Sequence, residues 1–402
     1  MCPRNFLPYA IILAYGKLGY RINNMIKRKI WLKKIEELWL QRPIVWLAGV
    51  RRAGKTVLSQ SLPNVDYFDC ELPRVRSLMA EPEIFLQAHS GKRIVLDEIH
   101  RLDNPSELLK IAADHFPATK ILATGSSSLS ASAKFKDTLT GRKSQLWLTP
   151  MTFQDMRDFK KSALKHRFVF GGLPPFFMSS KLPETYFQEW IDAYWAKDIQ
   201  ELFRLERRAS FQKFLELLMV QSGGIFQANS FSTPCGVSHT TIATYLRALE
   251  ETYVAHVLRP FNTNKNSEIV SAPKVYMFDT GFVCYYRGIH AILPAQMGSM
   301  WEHYVLNELH AQLQIHNICY WRDKQGHEVD FVVERRGLSP IAIEAKWSSR
   351  DFEHTGLKAF ADKYPKSQLF VVANDLSRPM IKTVAGVKVM FTGLKGLLAR
   401  LG

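Results

Sequence analysis

Long apolar runs are missing from this chain. Residues 5–16, "NFLPYAIILAYG", form an uncharged stretch, but its 12 residues fall short of the ~20 a helix needs to cross a bilayer. No transmembrane segment is expected. The stretch has the length of a secretory h-region but lacks an A-x-A-type cleavage site. Cysteine is also scarce. Cys2, Cys70, Cys235, Cys284 and Cys319 are scattered with no C-x-x-C pair, which excludes a disulfide framework or a zinc knuckle and fits a reducing compartment. Internal repeats, low-complexity tracts and long linkers are absent as well, so the modules are expected to pack closely.

Acid is in short supply relative to base. The 53 Lys and Arg against 37 Asp and Glu give a net charge of +16. Such an excess suggests an anionic partner: nucleic acid, a membrane surface or an acidic protein. A generally basic solvated surface is the bland alternative. Much of the excess is local. Residues 1–42 hold nine basic against two acidic side chains, and residues 131–170 nine against three. Residues 1–24 read as an extension ahead of an alternative start at Met25. A peripheral membrane contact through this basic, apolar arm is the competing reading.

What is present in the first half is a rhythm of short apolar runs: "PIVWLA" (43–48), "VDYFD" (65–69), "RIVLDEI" (93–99), "KILATGS" (120–126) and "SQLWLTP" (144–150). Helical segments separate most of them, such as 104–114 with Asn104 as N-cap and Pro105 at the first position. Strands alternating with helices predict a parallel α/β sheet. Residues 151–220 are rich in helix and aromatics, residues 211–279 suggest a small helical unit followed by a β-ribbon, and residues 297–402 return to α/β with a helix over about 299–314.

Residues 49–56, "GVRRAGKT", fit G-x-x-x-x-G-K-[ST]. Gly49 and Gly54 let the backbone wrap a phosphate, with the amides of Arg51, Arg52, Ala53 and Val57 in the cradle. Lys55 neutralises β/γ-phosphates, and Thr56 offers a hydroxyl to Mg²⁺. A strand before the loop and a helix after it are the context the motif needs. Downstream, "IVLDEIH" ends in Asp97 and Glu98. Asp97 suits Mg²⁺ through water, and Glu98 suits orienting and deprotonating the attacking water. Two acids on a solvated rim would be the bland reading. One strand falls between the loop and the acidic pair, and another, "KILATGS", follows. That order sets Thr124 beside the γ-phosphate as a polar sensor. Arg142, just before the fifth strand, could reach a γ-phosphate of its own subunit or of a neighbour, or be a plain surface arginine.

These stretches, with "IVLDEIHRL", "ATGSSS", "LTGRK…LTPMTFQDM", "GGLPPF", "AKDIQEL", "APKVYMFDTGF", "WEHYVLNEL" and "EVDFVV…IEAK", resemble the prokaryotic AAA+-like P-loop ATPases that carry a C-terminal domain of unassigned function. The resemblance covers about residues 25–350. It implies an α/β P-loop NTPase (AAA+-like) parallel sheet over 25–150 and a helical lid or linker over 151–210. A winged-helix-like unit over 211–285 and a small α/β restriction-endonuclease-like domain over 286–402 follow from it too. The winged helix requires a helix-turn-helix, for which residues 229–251 are the candidate. Ser238 is a good N-cap, and Pro234 forces the first helix to be short or irregular. His239, Thr240 and Arg247 are candidate DNA contacts, against a spacer or protein-contact role for the unit.

Residues 328–346, "EVDFVVERRGLSPIAIEAK", read as a hairpin. Alternation puts Glu328, Asp330 and Val332 on one face, and Ala342, Glu344 and Lys346 on one face of the partner strand. Asp330, Glu344 and Lys346 make the D-x(n)-E-x-K pattern of restriction-endonuclease-like nucleases. Glu302 shares a helical face with Leu306, Leu309 and Leu313. The expected site is therefore a second Mg²⁺ or Mn²⁺ held by Glu302, Asp330 and Glu344, with Lys346 as the catalytic base or phosphate stabiliser. The alternative is a degenerate site in which Lys346 is ion-paired. Trp301, Trp321 and Tyr320 read as core, and His303 and His327 as solvated cleft-edge residues. The sequence thus leads to a cytoplasmic ATP-hydrolysing protein, DNA-associated and capable of homo-oligomerisation, or alternatively to a nucleotide switch for a protein partner with an inert nuclease-like domain.

Overall fold

A computed structural model describes residues 26–125, 139–181, 184–203, 205–262, 272–315, 317–335 and 337–401. The extension over residues 1–24, and the serines of "ATGSSS", lie outside the described residues. Among the described residues no helix is long and apolar enough to cross a membrane. The four cysteines among them are buried.

The apolar runs of the first half become five parallel strands: β1 (Ile44–Ala48), β2 (Asp66–Asp69), β3 (Arg93–Asp97), β4 (Lys120–Thr124) and β5 (Lys143–Trp147), in the order β2-β3-β4-β1-β5. All five residues of β1 are buried, as a strand covered on both faces requires. The helix Pro105–His115 starts where its sequence predicts, with Asn104 accepting from the Glu107 amide. This is the α/β arrangement of a P-loop NTPase, and helical and further α/β regions follow it.

Residues 208–277 form helix Arg208–Val220, strand β6 (Gly224–Ile225), helix Ala228–Cys235, helix His239–Glu251, and strands β7 (Ala255–Leu258) and β8 (Lys274–Met277), with a sheet order β6-β8-β7. Pro234 sits at the penultimate position of its eight-residue helix; it cannot bond the carbonyl four residues back, and the helix ends one residue later. The Ser238 hydroxyl caps the next helix.

The last region sets helix Met297–Leu313 against a mixed six-stranded sheet of β9 (Ile318–Arg322), β10 (Glu328–Val333), β11 (Ile341–Lys346), β12 (Gln368–Ala373), β13 (Met380–Val384) and β14 (Val387–Thr392). Its order is β13-β14-β12-β11-β10-β9. Strands β10 and β11 pair as an antiparallel hairpin with Phe331 opposite Ile343, a register that brings Asp330 beside Glu344. Strict alternation along β10 does not hold. The pairing with β9 shifts between Val329 and Val332, and both valines enter the same small core with Ala342 and Phe360. A bulge of this kind re-aims side chains locally.

One continuous apolar core runs from Trp31 through all three regions to Leu401, so the regions are packed together as expected. Trp301, Trp321 and Tyr320 are core residues, exposed by 4% or less.

Candidate functional site

Two clusters of charge stand out, one at the tips of β1 and β3 and one on the C-terminal hairpin.

Strand β1 ends at Ala48 and the chain turns at Gly49, whose φ is 148°. A Cβ there would lie 2.4 Å from the Leu148 carbonyl oxygen, so glycine is required. Gly54, at φ 97°, precedes the helix Lys55–Gln60. The Lys55 ammonium donates to the carbonyl oxygens of Gly49 (2.7 Å) and Val50 (3.3 Å) inside the loop. Burial pulls its pKa down, and Glu98 and Asp198 partly offset this. Thr56 is exposed at the mouth of the loop.

Asp97 is buried at the end of β3 and accepts from the hydroxyls of Thr124 and Tyr67. Glu98 follows in a left-handed conformation, φ 51°. Its amide donates to Thr124 Oγ1 at 3.0 Å, and burial raises the pKa of its carboxyl. Strand β4, carrying Thr124, lies between β1 and β3. Lys55, Asp97, Glu98 and Thr124 are thus gathered at one edge of the sheet, with Thr124 bonded to the acidic pair. The hard oxygen donors Thr56 and Asp97 fit Mg²⁺.

Arg142 is not part of this group. Its guanidinium pairs with Asp114 at 2.7 and 3.1 Å, and the next residue, Lys143, is opposite Ile44 at the start of β1. It therefore lies a full strand away from the loop, about 16 Å for five residues. The reading in which it reaches its own subunit's γ-phosphate is corrected.

Sequence reasoning missed three residues here. Arg28, buried, donates to both carboxylate oxygens of Asp155 (2.8 and 2.6 Å) and to the Ala53 carbonyl (2.8 Å). Tyr67 holds Asp97. Asp198, buried in a π-helical turn, Trp195–Ile199, bonds Arg51. Arg28 and Asp198 belong to the chain on either side of the sheet, and only folding brings them to the loop.

On the hairpin, Asp330 and Glu344 are each 8% exposed. The Lys346 ammonium is 2.7 Å from Glu344 and 3.9 Å from Asp330, and Asp330 also accepts from the Ala345 amide at 2.9 Å. Glu302 does not join them as a shared ligand. It accepts from Lys274 Nζ at 3.0 Å and from the Tyr276 hydroxyl, and Lys274 also bonds Glu328 at 2.8 Å. Burial, then the neighbouring Asp330, pushes the Glu344 carboxyl up to about 8. Burial and Glu302 raise Asp330. Burial alone would lower Lys274, but Glu302, Asp330 and Glu328 outweigh it and raise its pKa.

Among the described residues no three His, Cys, Asp or Glu side chains come together to hold a metal ion. The expected set of Glu302, Asp330 and Glu344 is thus not gathered as one three-acid cluster: Lys346 pairs with Glu344 and Asp330, Lys274 with Glu302 and Glu328, and Glu344 Oε2 is buried without a hydrogen-bond partner. Lys274 and Tyr276 were missed, although their i, i+2 spacing in "KVYM" places both on one face of β8. His303 is also corrected. It is buried between Ser222 Oγ and the Ser299 carbonyl, both at 2.7 Å, and burial lowers its pKa to about 4. His327 is half-exposed and pairs with Asp323.

Comparison with known proteins adds the following. A protein-family match described as AAA domain covers residues 41–157. Two further matches, each described as a domain of unknown function (DUF8612 and DUF4143), cover 161–292 and 297–390. An uncharacterized protein of Mycobacterium tuberculosis is 30% identical over 339 residues, which is 81% of this chain and 75% of the relative. One of Mycobacterium bovis matches to the same extent. A Walker-type ATPase of Pyrococcus abyssi aligns at 15% identity and TM-score 0.42, over 66% of this chain and 96% of its own. That last likeness is too loose to argue from.

Proposed function

This chain belongs to the family of the two mycobacterial proteins and matches an AAA domain over residues 41–157, and on that premise we propose that it binds ATP with Mg²⁺ and hydrolyses it. The observation that carries the reading is the single edge of the sheet shared by Lys55, Asp97, Glu98 and Thr124. The loop amides and Lys55 bind the phosphates, and Thr56 and Asp97 would hold Mg²⁺, which when bound neutralises charge on the β/γ-oxygens. Glu98 takes the proton from the attacking water at its carboxylate, and its raised pKa makes it a better base. Thr124 orients this acidic pair. Arg142 is left for a neighbouring subunit, which would require a homo-oligomer.

The same protein is read as DNA-associated. The charge of +16 supports this, as does a helix–strand–helix–helix–ribbon order like that of a winged helix, in which His239, Thr240 and Arg247 are exposed. The C-terminal region has the helix-then-hairpin order of a restriction-endonuclease-like fold. The ion pairs of Lys346 with Glu344 and Asp330 support the second reading for this part, a nuclease-like fold retained for binding rather than cutting. ATP use and the scattered cysteines, with no C-x-x-C pair, support a cytoplasmic location.

Purified wild type, Lys55→Ala and Glu98→Gln, titrated with ATP and assayed for phosphate release, test the core of the reading. Lys55→Ala is expected to lose nucleotide affinity. Glu98→Gln is expected to keep affinity and lose about 10²–10⁴-fold in turnover. Full affinity in Lys55→Ala would sink it.

A further inference from the structure

The acid that touches the phosphate loop from outside the sheet has no part in the scheme above. Asp198 lies in "AKDIQEL", in the π-helical turn Trp195–Ile199 between helices Glu184–Tyr194 and Gln200–Phe203. Its Oδ2 accepts from Arg51 Nε at 2.8 Å, while its Oδ1 is buried with no hydrogen-bond partner. The residue is 1% exposed. A buried carboxylate oxygen left unsatisfied, in a single-turn π-segment inside an α-helical run, is a combination found at functional sites.

Arg51 is as informative as its partner. Only its Nε is engaged: among the described residues neither terminal guanidinium nitrogen has a hydrogen-bond partner. The group is close enough to Lys55 and Glu98 to act on both electrostatically. The indole N–H of Trp190, on the same helical arm as Asp198, donates to the Arg51 carbonyl at 2.9 Å. Arg52 pairs with Glu189 on that arm at 3.5 Å. The arm therefore grips the loop at the residues ahead of Gly54.

We propose that Asp198 is a positioning residue of the ATP site, which holds Arg51 by its Nε so that the two free terminal nitrogens meet the γ-phosphate end of the nucleotide. This rests on the ATPase reading and deepens it. Arg51 then supplies in cis the charge that a planar guanidinium is suited to give a transferring phosphoryl group. The grip also gives the helical arm 184–203 a way to distinguish ATP from ADP, because only the triphosphate draws on Arg51. A neutral amide in place of Asp198 would keep the shape and lose the charge that orients the guanidinium.

The test uses full-length protein and four variants: Asp198→Asn, Arg51→Ala, the double variant, and Trp190→Phe as a fluorescence control. ATP and ADP affinities, kcat and KM are measured, together with the ATP-induced change in tryptophan emission. Asp198→Asn is expected to bind ADP like wild type, lose its preference for ATP, and fall about tenfold or more in kcat, the scale of one charge-assisted hydrogen bond. The double variant is expected to be no worse than Arg51→Ala, because both act through one guanidinium. The emission change on ATP should vanish in Asp198→Asn and in Trp190→Phe. Wild-type kcat and ATP preference in Asp198→Asn would overturn the proposal, as would a double variant that loses the product of the two single effects. If Asp198→Asn fails to fold, Arg51→Ala alone decides: an unchanged ATP-to-ADP preference and kcat overturns it. A wild type that binds neither nucleotide instead removes the ATPase reading, and this proposal with it.

Discussion

The two charge clusters of this protein were both suggested by motifs, and they are built on opposite principles. At the phosphate loop, cationic and N–H groups converge, and Lys55 has no carboxylate as a direct hydrogen-bond partner. Lys55 spends its hydrogen bonds on the loop's own carbonyls, and Thr56 faces outward. Around the C-terminal hairpin the acids have ammonium partners within the protein, two lysines shared among four carboxylates. Lys346 serves Glu344 and Asp330, and Lys274 serves Glu302 and Glu328. The lesson is that a motif supplies the functional groups, while their partners decide whether those groups are available to a ligand. At the loop the partners are backbone carbonyls that a phosphate can outbid. At the hairpin they are the buried Lys274 and half-buried Lys346 ammonium groups, costly to strip from their acids.

The comparison breaks most visibly at Lys274. Its side chain is 9% exposed, and Lys274→Met would take the shared ammonium from the half-buried Glu302 and Glu328, leaving them the Tyr276 hydroxyl and Arg322. The expected loss is about 1–3 kcal/mol of stability, the range for taking one donor from a desolvated polar group, and urea denaturation would measure it. A loss no larger than that of an exposed pair would mean the cluster is solvated, and the contrast with the loop would disappear.

A smaller effect sharpens the contrast through pH. Burial and Asp330 push Glu344 up to about 8 in the folded chain, against an ordinary carboxylate value in the unfolded one. The folded state therefore holds this proton longer, and the contribution is fully present below about pH 4.5. Stability is expected to fall as pH rises from there toward 8, and Glu344→Gln is expected to flatten that slope. Thermal melts across the range would contradict the account if wild type and variant ran parallel.

The smallest structural effect is expected at Arg142. Its pair with Asp114 is exposed, so Arg142→Ala should leave the melting temperature essentially unchanged. If a neighbouring subunit uses this arginine, ATP turnover in the variant should drop and wild-type turnover per chain should rise with protein concentration. Turnover independent of both would leave Arg142 a surface residue.

How much of this was legible in the sequence follows from distance along the chain. The loop, the acidic pair, Asn104 as a cap and the hairpin are local patterns, and each formed where it was read. The contacts that settle their chemistry are not local. Arg28 meets Asp155 across 127 residues, Arg51 meets Asp198 across 147, and Lys274 meets Glu328 across 54. No periodicity encodes such pairs. The strand K-x-Y of "KVYM" marked Lys274 and Tyr276 as sharing a face, but not which acids that face would meet. The bulge between Val329 and Val332 also escapes a rule of strict alternation, because register is set by the partner strand. His303 looked like a rim residue on its helix and is buried by Ser222 from another region.

The most direct measurement is the number of Mn²⁺ ions bound per chain, by equilibrium dialysis of wild type, Lys55→Ala and Asp330→Ala with and without a non-hydrolysable ATP analogue. The account predicts no bound ion without nucleotide and one with it, abolished by Lys55→Ala and untouched by Asp330→Ala. An ion that binds without nucleotide, persists in Lys55→Ala and is lost in Asp330→Ala would contradict it, and would return the hairpin to the role of a metal site.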